Sequence, residues 1–270
     1  MQDRYKLLCL DLDGTLLNDQ KQVTEKTKQC LHKAKEMGIE IALLSGRMPL
    51  AIEIIERQIG FSCIKAASAG TYILMGDRCI GSQTILPEVV LKIYHHYART
   101  HHIPLWIYQK RKWYVTGRDH FVEHEVELIH YEPEVVDIRL LAKEWEVNHT
   151  GPNKLLFGAE EEVITQLKKD LEKEKIPGID FARSSEYYLE IYPLGADKGM
   201  AACTICDALG ILQSQMLAIG DQELDIPMLK TAGLSVAMGN APDHVKKVAD
   251  FVTKSNEEDG VAYAMERFLF

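Results

Sequence analysis

Apolar and polar positions alternate in a rhythm that changes twice along the chain. Tyr5 to Leu10 is a short apolar run that breaks into the polar string Asp11-Leu12-Asp13-Gly14-Thr15, the pattern of a buried strand entering a turn. Thr24 is placed to cap a helix that runs to Met37 and stops at Gly38, with Cys30, Leu31, Ala34 and Met37 at helical spacing. Ile39 to Leu44 reads as a second strand followed by Ser45-Gly46-Arg47, then a helix over Pro49 to Ile59 and a strand near Lys65 to Ala67. This β-α-β-α order predicts a parallel sheet with helices on both faces.

From Thr84 to about Tyr192 the texture differs. Helical patterns (Pro87 to His101, Glu160 to Lys173) mix with paired extended runs, Leu105–Tyr108 with Trp113–Val115 and Ile179–Ala182 with Tyr187–Tyr192. Two helices beside strand pairs predict an inserted α+β layer with an antiparallel sheet. After Pro193 the first rhythm resumes: helix Lys198 to Leu209, strand Met216 to Ile219, and the polar turn Gly220-Asp221-Gln222-Glu223-Leu224-Asp225. Strand Leu234–Ala237, helix Pro242–Val248, strand Phe251–Thr253 and helix Gly260–Phe268 then close the chain. The expected organisation is a discontinuous doubly wound α/β core, 1–83 and 194–270, with an α+β cap over 84–193.

A formal charge of −9, without a basic stripe, disfavours nucleic acid. No apolar run approaches the roughly 20 residues of a membrane helix, and the start lacks the long apolar stretch of a signal peptide. The six cysteines are scattered through periodic segments, as reduced cytoplasmic thiols would be. Cys203 and Cys206 form a Cys-x-x-Cys inside an apolar helix and read as core. The pairs His95-His96 and His101-His102 read as an exposed helix face, and Lys110-Arg111-Lys112 as a hairpin tip.

In an open α/β sheet, ligands bind at the C-terminal ends of the strands. Asp11 and Asp13 follow the first strand, Ser45 the second, Asp221 and Asp225 a later one, and Lys198 opens a helix. Carboxylates brought to one spot repel one another unless a cation sits among them. Oxygen-only ligation favours Mg²⁺ partnered by a phosphate group. Lys198 and the Ser45 hydroxyl suit the remaining phosphoryl oxygens, and a carboxylate facing such a group can be its covalent nucleophile.

Asp11-Leu12-Asp13-Gly14-Thr15 resembles the first motif of the haloacid-dehalogenase-like hydrolases. Ser45-Gly46-Arg47 resembles the second as the Cof-type phosphatase branch writes it, Lys198-Gly199 the third, and Gly220-Asp221 with Asp225 the fourth. Met238-Gly239-Asn240-Ala241 resembles a further Cof-type segment, and the resemblance spans the chain, cap included. It implies that Asp11 is nucleophile and Mg²⁺ ligand, that Asp13 gives its carbonyl to the metal and acts as general acid and base, and that Asp221 is the second carboxylate ligand. Ser45, Gly46, Arg47 and Lys198 then belong to the phosphate and substrate side, Arg47 meeting cap or substrate. Thr15 supports the loop and Asp13, and Asp225 orients Lys198 or caps the next helix.

The expected activity is Mg²⁺-dependent hydrolysis of small phosphorylated metabolites, sugar phosphates among them, through an aspartyl-phosphate. A phosphomutase, or a phosphometabolite-binding protein with weakened turnover, stands beside it as an alternative. Two departures bear on turnover: Leu224 where the family writes asparagine, and Ala69-Gly70-Thr71 where it often writes Asn-Gly-Ala. The missing amide predicts a slow phosphatase whose activity rises on Leu224→Asn; the competing account, in which Gln222 or Glu223 already fills the place, predicts a neutral or harmful substitution.

Overall fold

The computed structural model describes residues 4–270, and contacts within the chain divide into two compact units. One comprises residues up to Gly81 together with Asp197–Phe270; the other is Ser82–Ala196.

The first unit begins with β1 (Leu7–Asp11), α1 (Glu25–Glu36), β2 (Glu40–Leu44), α2 (Pro49–Ile59), β3 (Ile64–Ala67), β4 (Tyr72–Met75) and β5 (Arg78–Ser82). Thr24 does cap α1, its hydroxyl accepting from the Thr27 N–H at 3.3 Å. The second unit then supplies α3 (Pro87–Ile93), a wide π turn at Tyr94–Ala98, α4 (Arg99–His101), β6 (Trp106–Gln109), β7 (Lys112–Val115), α5 (His120–Ile129), β8 (Glu134–Val135), α6 (Ile138–Val147), β9 (Lys154–Gly158), α7 (Glu161–Glu174), β10 (Ile179–Arg183) and β11 (Tyr188–Pro193). The first unit resumes with α8 (Lys198–Leu209), β12 (Met216–Gly220), α9 (Ile226–Thr231), β13 (Leu234–Ala237), α10 (Asp243–Lys246), β14 (Phe251–Val252) and α11 (Gly260–Phe268).

Eight strands form the first sheet in the order β14-β13-β12-β1-β2-β3-β4-β5. The six from β14 to β3 run parallel, with Asp11 level with Leu44 and Leu44 level with Ala66. The sheet is mixed rather than all parallel, because β4 returns antiparallel to β3. Alternation within β1 explains the two-faced core: Leu8 and Leu10 pack with α1, α2 and α11, whereas Leu7 and Cys9 pack with α8, α9 and α10. Cys206 lies in that second cluster, so this half of the Cys-x-x-Cys is core.

The second unit holds a six-stranded sheet, β10-β11-β9-β6-β7-β8, antiparallel except where β8 runs parallel to β7. Ile107, Leu155, Phe157 and Leu189 on one face pack against α3, α6 and α7. Helices α5 and α6 and strands β8 and β9 add to the two helices and two strand pairs expected from the sequence. His95 and His96 are exposed, and Lys110-Arg111 forms the β6–β7 turn.

Candidate active site

The parallel register brings the C-terminal ends of β1, β2, β3 and β12 side by side, and the polar residues gather there. The loop after β1 folds back on itself: the Leu17 N–H donates to the Leu12 carbonyl at 2.9 Å and the Leu16 N–H to that of Asp11 at 3.3 Å. Asn240 pins the same loop through an amide N–H to the Gly14 carbonyl, 2.8 Å. Gly14 has a φ of +82°, and a Cβ there would lie 2.4 Å from Asp221 Oδ2. Only glycine permits both the left-handed turn and the close approach of that carboxylate.

Asp11, Asp221 and Asp225, all buried, bring carboxylate oxygens within 4.8 Å of one another, a spacing that can hold a metal ion. Lys198, at the first position of α8, lies among them, its Nζ 2.5 Å from both Asp11 Oδ1 and Asp225 Oδ1. Asp225 Oδ2 accepts the main-chain N–H groups of Asp221 and Gln222, each at 2.9 Å. Its oxygens are therefore engaged with Lys198 and the turn. It makes no side-chain cap for α9.

Thr15 donates to Asp221 Oδ1 at 2.8 Å. The expectation that it steadies Asp13 is corrected: the tight loop aims the hydroxyl across to β12. The Gln222 amide donates to Asp221 Oδ2 at 2.9 Å. An amide thus already serves this carboxylate although Leu224 replaces asparagine, which favours the account in which Gln222 fills the place.

Burial, then the charge of Asp225, drives the Asp11 carboxyl well above its usual range, with Lys198 opposing. Asp221 is raised for the same first reason, against the Thr15 hydrogen bond. Lys198 is held charged: burial opposes this, but Asp11 and Asp225 outweigh it. A buried acidic trio balanced by one ammonium is short of positive charge, and a divalent cation would supply it. The all-oxygen donor set fits Mg²⁺.

Asp13 stands apart from the trio. Arg47 grips it with two hydrogen bonds, Nε to Oδ2 at 2.8 Å and Nη2 to Oδ1 at 2.7 Å, and Lys21 Nζ adds a third at 2.8 Å. Burial works against ionisation, but these cations bring its carboxyl down to about 2. Lys21 was not singled out from the sequence, and its place eight residues beyond Asp13 carries no local signal.

Ser45 is buried, and its hydroxyl accepts the Arg47 N–H at 3.2 Å. Met48, rather than Ser45, occupies the cap position of α2. The Ser45-Gly46-Arg47 loop is tied to β3 and the turn beyond it. The Ser45 N–H donates to the Ala66 carbonyl at 2.9 Å, the Ala69 N–H to the Ser45 carbonyl at 3.0 Å, and the Ser68 N–H to the Arg47 carbonyl at 2.9 Å.

The chain matches the haloacid dehalogenase-like hydrolase family over residues 8–265, and it belongs to that family. It is 27% identical over 265 residues to the 5-amino-6-(5-phospho-D-ribitylamino)uracil phosphatase YcsE of Bacillus subtilis strain 168, covering 98% of this chain and 96% of that protein. Phosphatase YwpJ of the same organism is 29% identical over 298 residues, covering 98% and 100%. Among solved structures, a haloacid dehalogenase-like hydrolase from Bacteroides thetaiotaomicron superposes with a TM-score of 0.86 at 30% identity, covering 97% of this chain and 99% of that one. The match takes in both units, and relatives named as phosphatases align along nearly the whole chain. This chain is accordingly an enzyme of the phosphoric monoester hydrolase class.

Proposed function

We propose that the chain is a Mg²⁺-dependent phosphatase of small phosphorylated metabolites that works through an aspartyl-phosphate on Asp11, with Ser82–Ala196 as its specificity cap. The observation that carries this is the buried cluster of Asp11, Lys198, Asp225 and Asp221 at the ends of β1 and β12. The carboxylates of Asp11 and Asp221, with the Asp13 main-chain carbonyl, would hold Mg²⁺, which supplies charge neutralisation for the phosphoryl oxygens.

The residues then have these tasks. An Asp11 carboxylate oxygen attacks phosphorus as the ester P–O bond breaks, and the leaving oxygen takes a proton from Asp13. A water then gives its proton to Asp13 while its oxygen attacks the same phosphorus; the bond to Asp11 breaks and inorganic phosphate departs. Lys198 and the Ser45 hydroxyl bind phosphoryl oxygens. Asp225 holds Lys198 in place. Arg47 and Lys21 lower the Asp13 carboxyl toward the form that accepts a proton. To act as the acid it must first leave Arg47 and Lys21 and take up a proton from solvent.

The name of YcsE specifies a phosphate ester of a ribityl chain, which is a small phosphomonoester of the proposed kind. The six free thiols accord with a cytoplasmic enzyme. Among the described residues no helix is long and apolar enough to cross a membrane. Hydrolysis of a phosphomonoester panel with and without Mg²⁺, by the native protein and Asp11→Asn, tests the proposal. Turnover that needs both Mg²⁺ and Asp11 supports it, and turnover surviving either removal overturns it.

A further inference from the structure

Sheet register places a residue beside the site that none of the four motifs includes. Asp11, Leu44 and Ala66 are level across β1, β2 and β3. Ser68 is the first residue beyond β3, at the strand ends where ligands of such sheets bind, and its N–H donates to the Arg47 carbonyl of the second motif at 2.9 Å.

Three features set it apart. Its hydroxyl is buried, with the residue only 1% exposed, yet has no hydrogen-bond partner. An orphaned buried hydroxyl is costly and uncommon. Ser68 and Ala69 both take left-handed backbone, with φ of 52° and 62°, a conformation that non-glycine residues adopt rarely and that clusters at functional sites. The same two residues bind the Arg47 and Ser45 carbonyls through their N–H groups, so the turn that carries Ser68 also holds the second motif. Ala69 stands where the family often has asparagine, and alanine has no side-chain donor.

We infer that Ser68 is a substrate-binding residue, its hydroxyl donating to an oxygen of the bound phosphomonoester in place of the amide absent at position 69. The inference rests on the phosphatase reading above. In this arrangement the orphaned hydroxyl is satisfied when substrate is bound.

The test compares the native protein with Ser68→Ala, Ser68→Gly and Ser68→Asn, reading kcat/KM on the best panel substrate, affinity for inorganic phosphate in Mg²⁺ by calorimetry, and melting temperature. Loss of a hydrogen bond to a charged group corresponds to roughly a ten- to hundredfold fall in kcat/KM. Ser68→Ala and Ser68→Gly should both show it, with weaker phosphate binding. Ser68→Ala should melt no lower than the native protein, and Ser68→Gly higher, because glycine relaxes the turn. Ser68→Asn, which tolerates left-handed backbone and carries a donor, should recover much of the activity. Native-like kcat/KM in Ser68→Ala, or full activity in Ser68→Gly, would overturn the inference by making the role conformational or nil. A native protein inert on every ester would instead sink the phosphatase reading; equal phosphate affinity in native and Ser68→Ala proteins would then overturn this inference too.

Discussion

Lys198→Met removes the ammonium that bridges Asp11 and Asp225 in the buried acidic trio. Methionine keeps most of the side chain's volume but takes away an ammonium 2.5 Å from both Asp11 and Asp225. Breaking a buried ion pair by deleting one partner costs about 3–5 kcal/mol, because the remaining charge has neither water nor counterion. At about 2–4 °C per kcal/mol for a chain of this size, the apparent melting temperature should fall by roughly 6–20 °C at pH 8 without metal. The loss should shrink at pH 5. Asp11, already raised by burial, then answers the missing cation by taking up a proton rather than remaining an unpaired charge. The double variant Lys198→Met/Asp225→Asn should recover part of the loss at pH 8, since it also removes a carboxylate. Calorimetric melts of the native protein and both variants at the two pH values are the assay. A Lys198→Met protein as stable as native at pH 8, or equally destabilised at both pH values, would refute the reasoning.

Three further outcomes follow from the same geometry. Asp11 and Asp221 are raised in the folded protein, so the metal-free fold holds protons that the unfolded chain releases above about pH 4. That contribution to stability is complete below the unfolded pKa and disappears as pH climbs through the raised values. Mg²⁺ requires the ionised carboxylates, and its stabilisation in thermal melts should be larger at pH 8 than at pH 5; a shift independent of pH would contradict the site. Leu224→Asn should leave kcat/KM unchanged, whereas Gln222→Met, which strips the amide from Asp221, should weaken Mg²⁺ about tenfold; the reverse pattern would restore Leu224 as the defect. Ala69→Asn should raise stability by about 1 kcal/mol in a denaturant titration, because asparagine tolerates the left-handed backbone; a lowered midpoint would contradict the strain at that turn.

The alternating half of the fold was legible because each element carries its own signal. Thr24 and Met37 bound α1, and proline and glycine bracket α2. Other signals were present but unread: Ile138, Leu141, Ala142 and Trp145 of α6 keep helical spacing and are buried, and the Gly76-Asp77 turn follows the apolar run of β4. Strand β8 offered nothing to read, being two exposed residues paired to β7. Within the site, residue types and spacing pointed to Asp11, Lys198, Asp221 and Asp225, which converge, but not to Asp13 and Ser45 being held by Arg47 instead. Their partners could not be read, because Thr15 reaching Asp221 and Lys21 reaching Asp13 depend on how a loop folds back. The orphaned hydroxyl of Ser68 has no sequence signature, since its significance lies in what fails to contact it.

In the proposed mechanism Asp11 carries the phosphoryl group during turnover. The decisive measurement is rapid acid quench of the native protein with a turned-over phosphomonoester and Mg²⁺, followed by peptide mass spectrometry. The expected result is a phosphate mass, labile to hydroxylamine, on the peptide containing Asp11, absent from Asp11→Asn and absent without Mg²⁺. Steady turnover with no trapped phosphate on that peptide, or the same adduct in Asp11→Asn, would contradict it.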